Sequence, residues 1–250
     1  MKILYFDCFS GISGDMVIGA LIDAGGDPVH LHEELKKLNI EDEYELKLDK
    51  VVKNGITGTK FDVILANDDV HHHHHHHDDH HDHRSYKNII KMIESAGFSD
   101  QVRDTSLHIF KKIGEAEAKI HGVLLEDVHF HEVGAVDSII DIVGTAILMD
   151  QLNIDVVKSS PIPVGSGKIH IDHGVYPVPA PATLEILRGI PIAESELKGE
   201  LATPTGAAIA AILTDEFCTL PAMTVESIGY GAGTKSFPNH PNVLRVIIGE

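Results

Sequence analysis

Two periodicities alternate along the chain. Residues 2–6, Lys-Ile-Leu-Tyr-Phe, form a short apolar run that reads as a buried strand ending at Asp7. A glycine-containing loop over 8–15 then opens a helix to about Ala24, closed by Gly25-Gly26, and Pro28 suits the first turn of a second helix to about Leu38. Residues 44–51 and 56–65 alternate as two strands around Asn54-Gly55, a hairpin signal. Helices are expected over 86–96 and 100–121, the second carrying Leu107, Phe110, Ile113 and Ile120 near helical spacing. A strand over 128–132 leads through Gly134 to a helix over 137–152. Prolines 161, 163, 177, 179 and 181 force extended or turn structure on the strip that follows. Helices over 182–187 and 205–213 and strands over 223–228 and 243–248 complete the pattern, with no internal repeat. Strands and helices intermix throughout, so the expected class is mixed α/β, with α+β as the alternative. The expected division is an amino-terminal α/β segment over 1–70, a disordered histidine-rich loop over 71–84, and the remainder of the same α/β domain over 85–250. The last strand-like run has no polar tail after it, which reads as a sign of a fragment or split protein.

Composition narrows the functional classes. The 250 residues are 43% hydrophobic and 23% charged, ordinary for a globular protein. The formal net charge is −18 with histidine neutral, which repels phosphate backbones and anionic lipid headgroups. Nucleic-acid and membrane partners are therefore not expected. Cys8 and Cys218 lie far apart and cannot build a disulfide framework, which fits a reducing cytosol. No secretory h-region follows Met1, and the apolar stretch over 207–213 is far shorter than the roughly 18 residues that span a bilayer. A soluble, cytoplasmic protein is expected.

Histidine, at 19 residues, is the unusual component. His71, His72, His73, His74, His75, His76, His77, His80, His81 and His83 occupy ten of thirteen consecutive positions, and aspartates fill the other three. Neutral imidazole suits nickel, copper and zinc, while the aspartates offset an ion's charge. Affinity order alone does not choose the metal, because copper outcompetes nickel. A silent low-complexity insert is the bland alternative. A second cluster is His129, His131, Glu132, Asp137 and Asp141. In a strand His129 and His131 share a face, and Asp137 and Asp141, four apart, share a face of the next helix. Together they are candidate metal ligands, with Glu132 a candidate catalytic carboxylate; solvated histidines and ordinary helix-start aspartates are the competing account. His170 and His173 repeat the theme more weakly, and His30, His32, His108, His121 and His240 read as surface or capping residues.

The segment from Asp7 to Asp15 has the layout of a strand-to-helix binding loop. Gly11 and Gly14 permit tight turns, and Ser10, Ser13 and the helix-start amides offer donors to a ligand. Asp7 and Asp15 are candidate catalytic or cation-holding carboxylates there, and a purely structural turn is the alternative. Two glycine-rich stretches fail as nucleotide loops. Gly165-Ser166-Gly167-Lys168 is followed by Ile169 where a P-loop needs Ser or Thr, and 229–234 misplaces the third glycine of a dinucleotide fingerprint.

Several of these stretches, taken in order, resemble the nickel-insertion proteins of nickel-pincer cofactor biosynthesis, the LarC family. They are 5–16 (Tyr-Phe-Asp-Cys-Phe-Ser-Gly-Ile-Ser-Gly-Asp-Met), 128–137 (Val-His-Phe-His-Glu-Val-Gly-Ala-Val-Asp), 177–183 (Pro-Val-Pro-Ala-Pro-Ala-Thr), 199–207 (Gly-Glu-Leu-Ala-Thr-Pro-Thr-Gly-Ala) and 229–235 (Gly-Tyr-Gly-Ala-Gly-Thr-Lys). An internal histidine-rich loop is also a habit of that family. The resemblance implies a CTP-dependent cyclometallase of the lyase class. It would place Ni(II), as substrate, into pyridinium-3,5-bisthiocarboxylic acid mononucleotide through one nickel–carbon and two nickel–sulfur bonds. CTP would go to CMP and pyrophosphate with Mn(II) or Mg(II), and the product would serve lactate racemase and related enzymes. Family members are usually longer, with a carboxy-terminal region to which CTP binding is assigned. The expectation is therefore that this chain is the amino-terminal component, joined to that region by fusion or association, and that it binds nickel without consuming CTP alone. Self-association is left open. A nickel storage or delivery protein and a metal-dependent hydrolase are the alternatives.

Overall fold

The computed structural model describes residues 1–66, 84–130, 135–171 and 174–250. In chain order its principal elements are β1 (Ile3–Asp7), α1 (Gly14–Asp23), α2 (Pro28–Leu35), β2 (Tyr44–Lys53) and β3 (Ile56–Leu65). There follow α3 (Tyr86–Ser95), α4 (Asp100–His121), α5 (Val136–Leu152), β4 (Val156–Ser159), α6 (Pro181–Ile186) and α7 (Pro204–Leu213). The last are β5 (Glu216–Phe217), β6 (Val225–Ala232) and β7 (Val243–Gly249). Among the described residues these strands form one seven-stranded mixed sheet in the order β5-β4-β1-β7-β6-β3-β2. β1 runs parallel to β4 and antiparallel to β7, pairing Phe6 with Val246 and Asp7 with Arg245. Two-residue ladders and a hairpin of Lys168–Ile171 with Gly174–Pro177 occupy the proline-rich strip. The class is mixed α/β, as the intermixed periodicities require.

The alternation in β1 puts Leu4 and Phe6 on the face that carries the main core, beside Val157, Val246 and Ile248. Helix α5 is apolar on nearly every side and is buried against α1, α2, α4 and α7. Ser85 and Ser99 cap α3 and α4 through the amides of Asn88 and Val102, and Gly122 ends α4 at φ +67°. The Asn54-Gly55 turn takes the left-handed conformation at both residues, as a two-residue hairpin requires. Among the described residues no helix is long and apolar enough to cross a membrane.

Two expectations change. Residues 128–130 do not form a strand: a 3-10 turn at Leu125–Asp127 is followed by an isolated bridge between Ser85 and His129. The next-to-last strand lies later than 223–228 and takes in the glycines that imitate a dinucleotide loop. Those glycines are packing devices. A Cβ at Gly231 would stand 1.8 Å from the Met16 carbonyl oxygen, and one at Gly229 2.0 Å from that of Ala20. Helix α1 thus lies directly on the backbone of β6, and Asp23 at its end accepts a bond from the Tyr230 amide at 2.8 Å. The histidine-rich loop over 71–83 falls outside the described residues.

Candidate functional site

Three helices begin at one place. Ser13, Gly14 and Asp15 at the start of α1, Asp137, Ser138 and Asp141 on α5, and Thr203, Pro204 and Thr205 at the start of α7 line a cleft of about 360 Å³. The facing wall comes from β3, at Lys60 and Asp62, with Glu200 and Thr234 at its sides. Each helix start carries unpaired amides and a positive partial charge, so the convergence favours anionic groups.

The local sequence explains the convergence. Gly11, at φ +98°, lets the loop after β1 run against the segment that leads into α7; a Cβ there would meet the Leu201 carbonyl oxygen at 2.0 Å. The two segments exchange backbone bonds, Ile12 N–H to Leu201 O at 2.9 Å and Thr203 N–H to Ile12 O at 3.1 Å. Gly206 closes the contact, since its Cβ would stand 2.2 Å from the Ile12 carbonyl oxygen. Gly14 makes room for Asp141, whose Oδ2 lies 2.4 Å from where a Cβ would be.

Lys60, only 9% exposed, reaches Asp15 Oδ2 and Asp62 Oδ1, each at 2.7 Å. Burial alone would lower the ammonium's pKa; the two carboxylates outweigh it and hold the group charged. Ser13 Oγ donates to the other Asp15 oxygen. Asp141 keeps a partly exposed edge toward the cleft, but burial of its carboxyl, followed by the neighbouring charges of Asp15 and Asp137, pushes its pKa well above the usual range. Lys60 and the Asp15 amide act in the opposite sense. Asp137 accepts the Ser138 amide at 2.8 Å, within its own helix start. Carboxylates, an ammonium and helix-start amides therefore share one cleft, able to take a ligand bearing both anionic and cationic parts. Among the described residues no three His, Cys, Asp or Glu side chains are grouped so as to cage a metal ion by themselves.

Of the residues expected from sequence, Ser13, Gly14, Asp15, Asp137 and Asp141 meet here. Asp7 does not line the cleft. It pairs with its cross-strand neighbour Arg245, whose Nε donates at 2.9 Å. Ser10 is buried, donating to the Pro241 carbonyl at 2.6 Å beside His240 Nε2 at 2.8 Å. His129 is exposed at its bridge to Ser85, and His170 is exposed on the hairpin. His131, Glu132 and His173 lie outside the described residues, as do His71, His72, His73, His74, His75, His76, His77, His80, His81 and His83. Burial pushes the Cys8 thiol up to about 12, so it is protonated at neutral pH in the metal-free chain.

Sequence reasoning missed Lys60, Asp62, Glu200, Thr203, Thr205 and Thr234. Thr203-Pro204 was detectable, because a threonine followed by proline is a helix-start signal, and the Thr203 side chain does cap the Gly206 amide. Nothing in the pattern of β3 marks Lys60, whose role depends on α1 lying across that strand.

Comparison with known proteins gives the chain its family. A family model described as "Nickel insertion protein" matches residues 4–250. A protein of Geobacillus kaustophilus named "Pyridinium-3,5-bisthiocarboxylic acid mononucleotide nickel insertion protein" is 56% identical over all of this chain and 60% of its own length. One of the same name from Clostridium kluyveri is 52% identical over all of this chain and 62% of its own. A "Putative nickel insertion protein" of Dictyoglomus thermophilum is 48% identical over all of this chain and 61% of its own. The chain thus spans about 60% of the length of these curated relatives. No solved structure matches it.

Proposed function

The chain belongs to the nickel insertion protein family, and we propose that it brings Ni(II) and pyridinium-3,5-bisthiocarboxylic acid mononucleotide together in the cleft where α1, α5 and α7 begin. One observation supports this above the others. Asp15, Asp137, Asp141 and Lys60 converge at three helix starts in a chain that the family model covers from 4 to 250.

The chemistry follows from ligand preference. Carboxylate oxygens hold nickel weakly compared with sulfur, so an ion on Asp15 and Asp137 passes downhill to the two thiocarboxylates of the precursor. The nickel–carbon bond replaces a ring C–H bond, so one proton must leave. With Ni(II) bound beside it Asp141 would be ionised, and its burial next to two other carboxylates would then favour taking that proton. Helix-start amides hold the precursor's anionic groups against the carboxylates' repulsion. The histidine tract over 71–83, with His129, His131, His170 and His173, supplies nickel and does not set its final geometry. A working site needs ligands fixed to within about 0.5 Å, and the tract has no apolar anchor to fix them. CTP use, with Mn(II) or Mg(II), belongs to the part of the relatives' length that this chain does not span.

The test supplies that remaining part as a separate polypeptide and incubates both with precursor, CTP and Ni(II). Nickelated product, read by mass spectrometry, is expected from the native chain and not from Asp15→Ala or Asp137→Ala variants that retain their fold. Product at the native rate from both variants would exclude the cleft.

A further inference from the structure

Two hydroxyls in the cleft stand unpaired among the described residues. Ser138 and Thr205 are 8% and 6% exposed, both line the cleft, and neither side chain has a hydrogen-bond partner among the described residues. Neither oxygen is among the fully buried unpaired ones, so both are open to the cleft, whereas the neighbouring Ser13 and Thr203 hydroxyls are both engaged. Ser138 stands on the first turn of the seventeen-residue α5, and Thr205 on the first turn of the ten-residue α7. The Thr205 amide, at the second position of its helix, has no intrahelical acceptor, and Pro204 before it has no N–H to compete. Two free hydroxyls and a free amide at two helix starts form a donor set without acceptors.

We propose that this end of the cleft is a phosphomonoester subsite, in which Ser138 Oγ, Thr205 Oγ1 and the Thr205 amide receive the phosphate of a pyridinium mononucleotide. A tetrahedral dianion offers acceptors in several directions, and the helix dipoles of α5 and α7 both favour negative charge there. Lys60 adds a cation to the same cleft. The subsite deepens the reading of the cleft above and rests on it for the ligand's identity.

The test titrates the 250-residue chain by calorimetry with nicotinamide mononucleotide, with its nucleoside, and with inorganic phosphate. Magnesium is present throughout as the counter-ion that a cleft rich in carboxylates demands. The mononucleotide should bind at least about tenfold more tightly than the nucleoside. The Ser138→Ala/Thr205→Val double variant should lose that advantage while its affinity for the nucleoside stays the same. Thr205→Ser, which keeps the hydroxyl, should retain the advantage and guards against a fold defect in the double variant. Equal binding of mononucleotide and nucleoside by the native chain, or an advantage preserved in the double variant, would overturn the subsite. Binding of neither compound would overturn it as well. Nickel insertion is scored separately: loss of product in the Asp15 and Asp137 variants alongside intact phosphate discrimination, or the reverse, shows which of the two readings failed.

Discussion

Asp7 and Asp15 bracket the loop between β1 and α1, and each is ion-paired, yet their surroundings differ in kind. Asp7 sits at the end of a sheet strand, opposite Arg245 in register on β7, and that guanidinium takes up its carboxylate. For Arg245 burial would lower the pKa, but Asp7 outweighs it and holds the charge. The pair is complete. Asp15 pairs with Lys60 too, but the same space holds Asp141, Asp137, three helix starts and two hydroxyls that have no partner among the described residues. At one end of the loop polar groups satisfy each other; at the other the Ser138 and Thr205 hydroxyls are left over among the described residues. Unsatisfied groups at an open cleft mark a place for a ligand, and satisfied ones mark architecture.

Substitution should separate the two regions most sharply in turnover. Asp15→Ala and Asp137→Ala are expected to lower nickel insertion by about 100-fold or more, as the loss of a positioned acid, base or ligand does. Asp7→Asn should leave insertion within about threefold and cost roughly 1 kcal/mol of stability, the scale of a partly exposed ion pair. Comparable losses of turnover at positions 7 and 15 would erase the distinction.

The glycines sharpen it next. Gly231→Ala drives a Cβ into the backbone of α1 and should cost about 3 kcal/mol in denaturant unfolding. Gly14→Ala displaces the Asp141 side chain instead, and should lower insertion while costing less stability than Gly231→Ala. A smaller effect follows from Asp141 itself. Below the ordinary aspartate range the carboxyl is protonated in both folded and unfolded chains and contributes nothing. As pH rises from about 3.9, the unfolded chain releases that proton first, so stability falls until pH passes the raised folded-state value. Asp141→Asn, neutral at every pH, should remove that fall and raise the melting temperature of the metal-free protein at neutral pH. A lower melting temperature would mean that Asp141 is ionised and paired in the folded chain. The smallest effect is expected from deleting 71–83, which should reduce nickel stoichiometry and leave turnover intact at saturating nickel. Lost turnover under that excess would give the tract a part in the chemistry.

Much of this architecture can be read from local pattern. The run of Leu4 and Phe6, the Asn54-Gly55 turn and the spacing of Ile113 and Phe110 each specify an element without help from distant residues. The same holds for Asp137 and Asp141, whose spacing alone puts them on one helix face. Lys60 and Thr205 were not legible because their meaning is tertiary. A lysine in a strand becomes a cleft cation only when α1 crosses that strand, and a threonine becomes a free donor only when no neighbour claims it. The glycines of β6 show the converse: their spacing imitates a nucleotide loop, while their use is to let a helix lie on a strand.

The most direct measurement is anomalous diffraction at the nickel edge from crystals of the chain lacking 71–83, soaked with Ni(II) and the pyridinium precursor. A single strong peak bounded by Asp15, Asp137 and Asp141 is the predicted result. A peak at His170 or elsewhere on the surface, with none in the cleft, would contradict the assignment of nickel chemistry to the meeting point of the three helices.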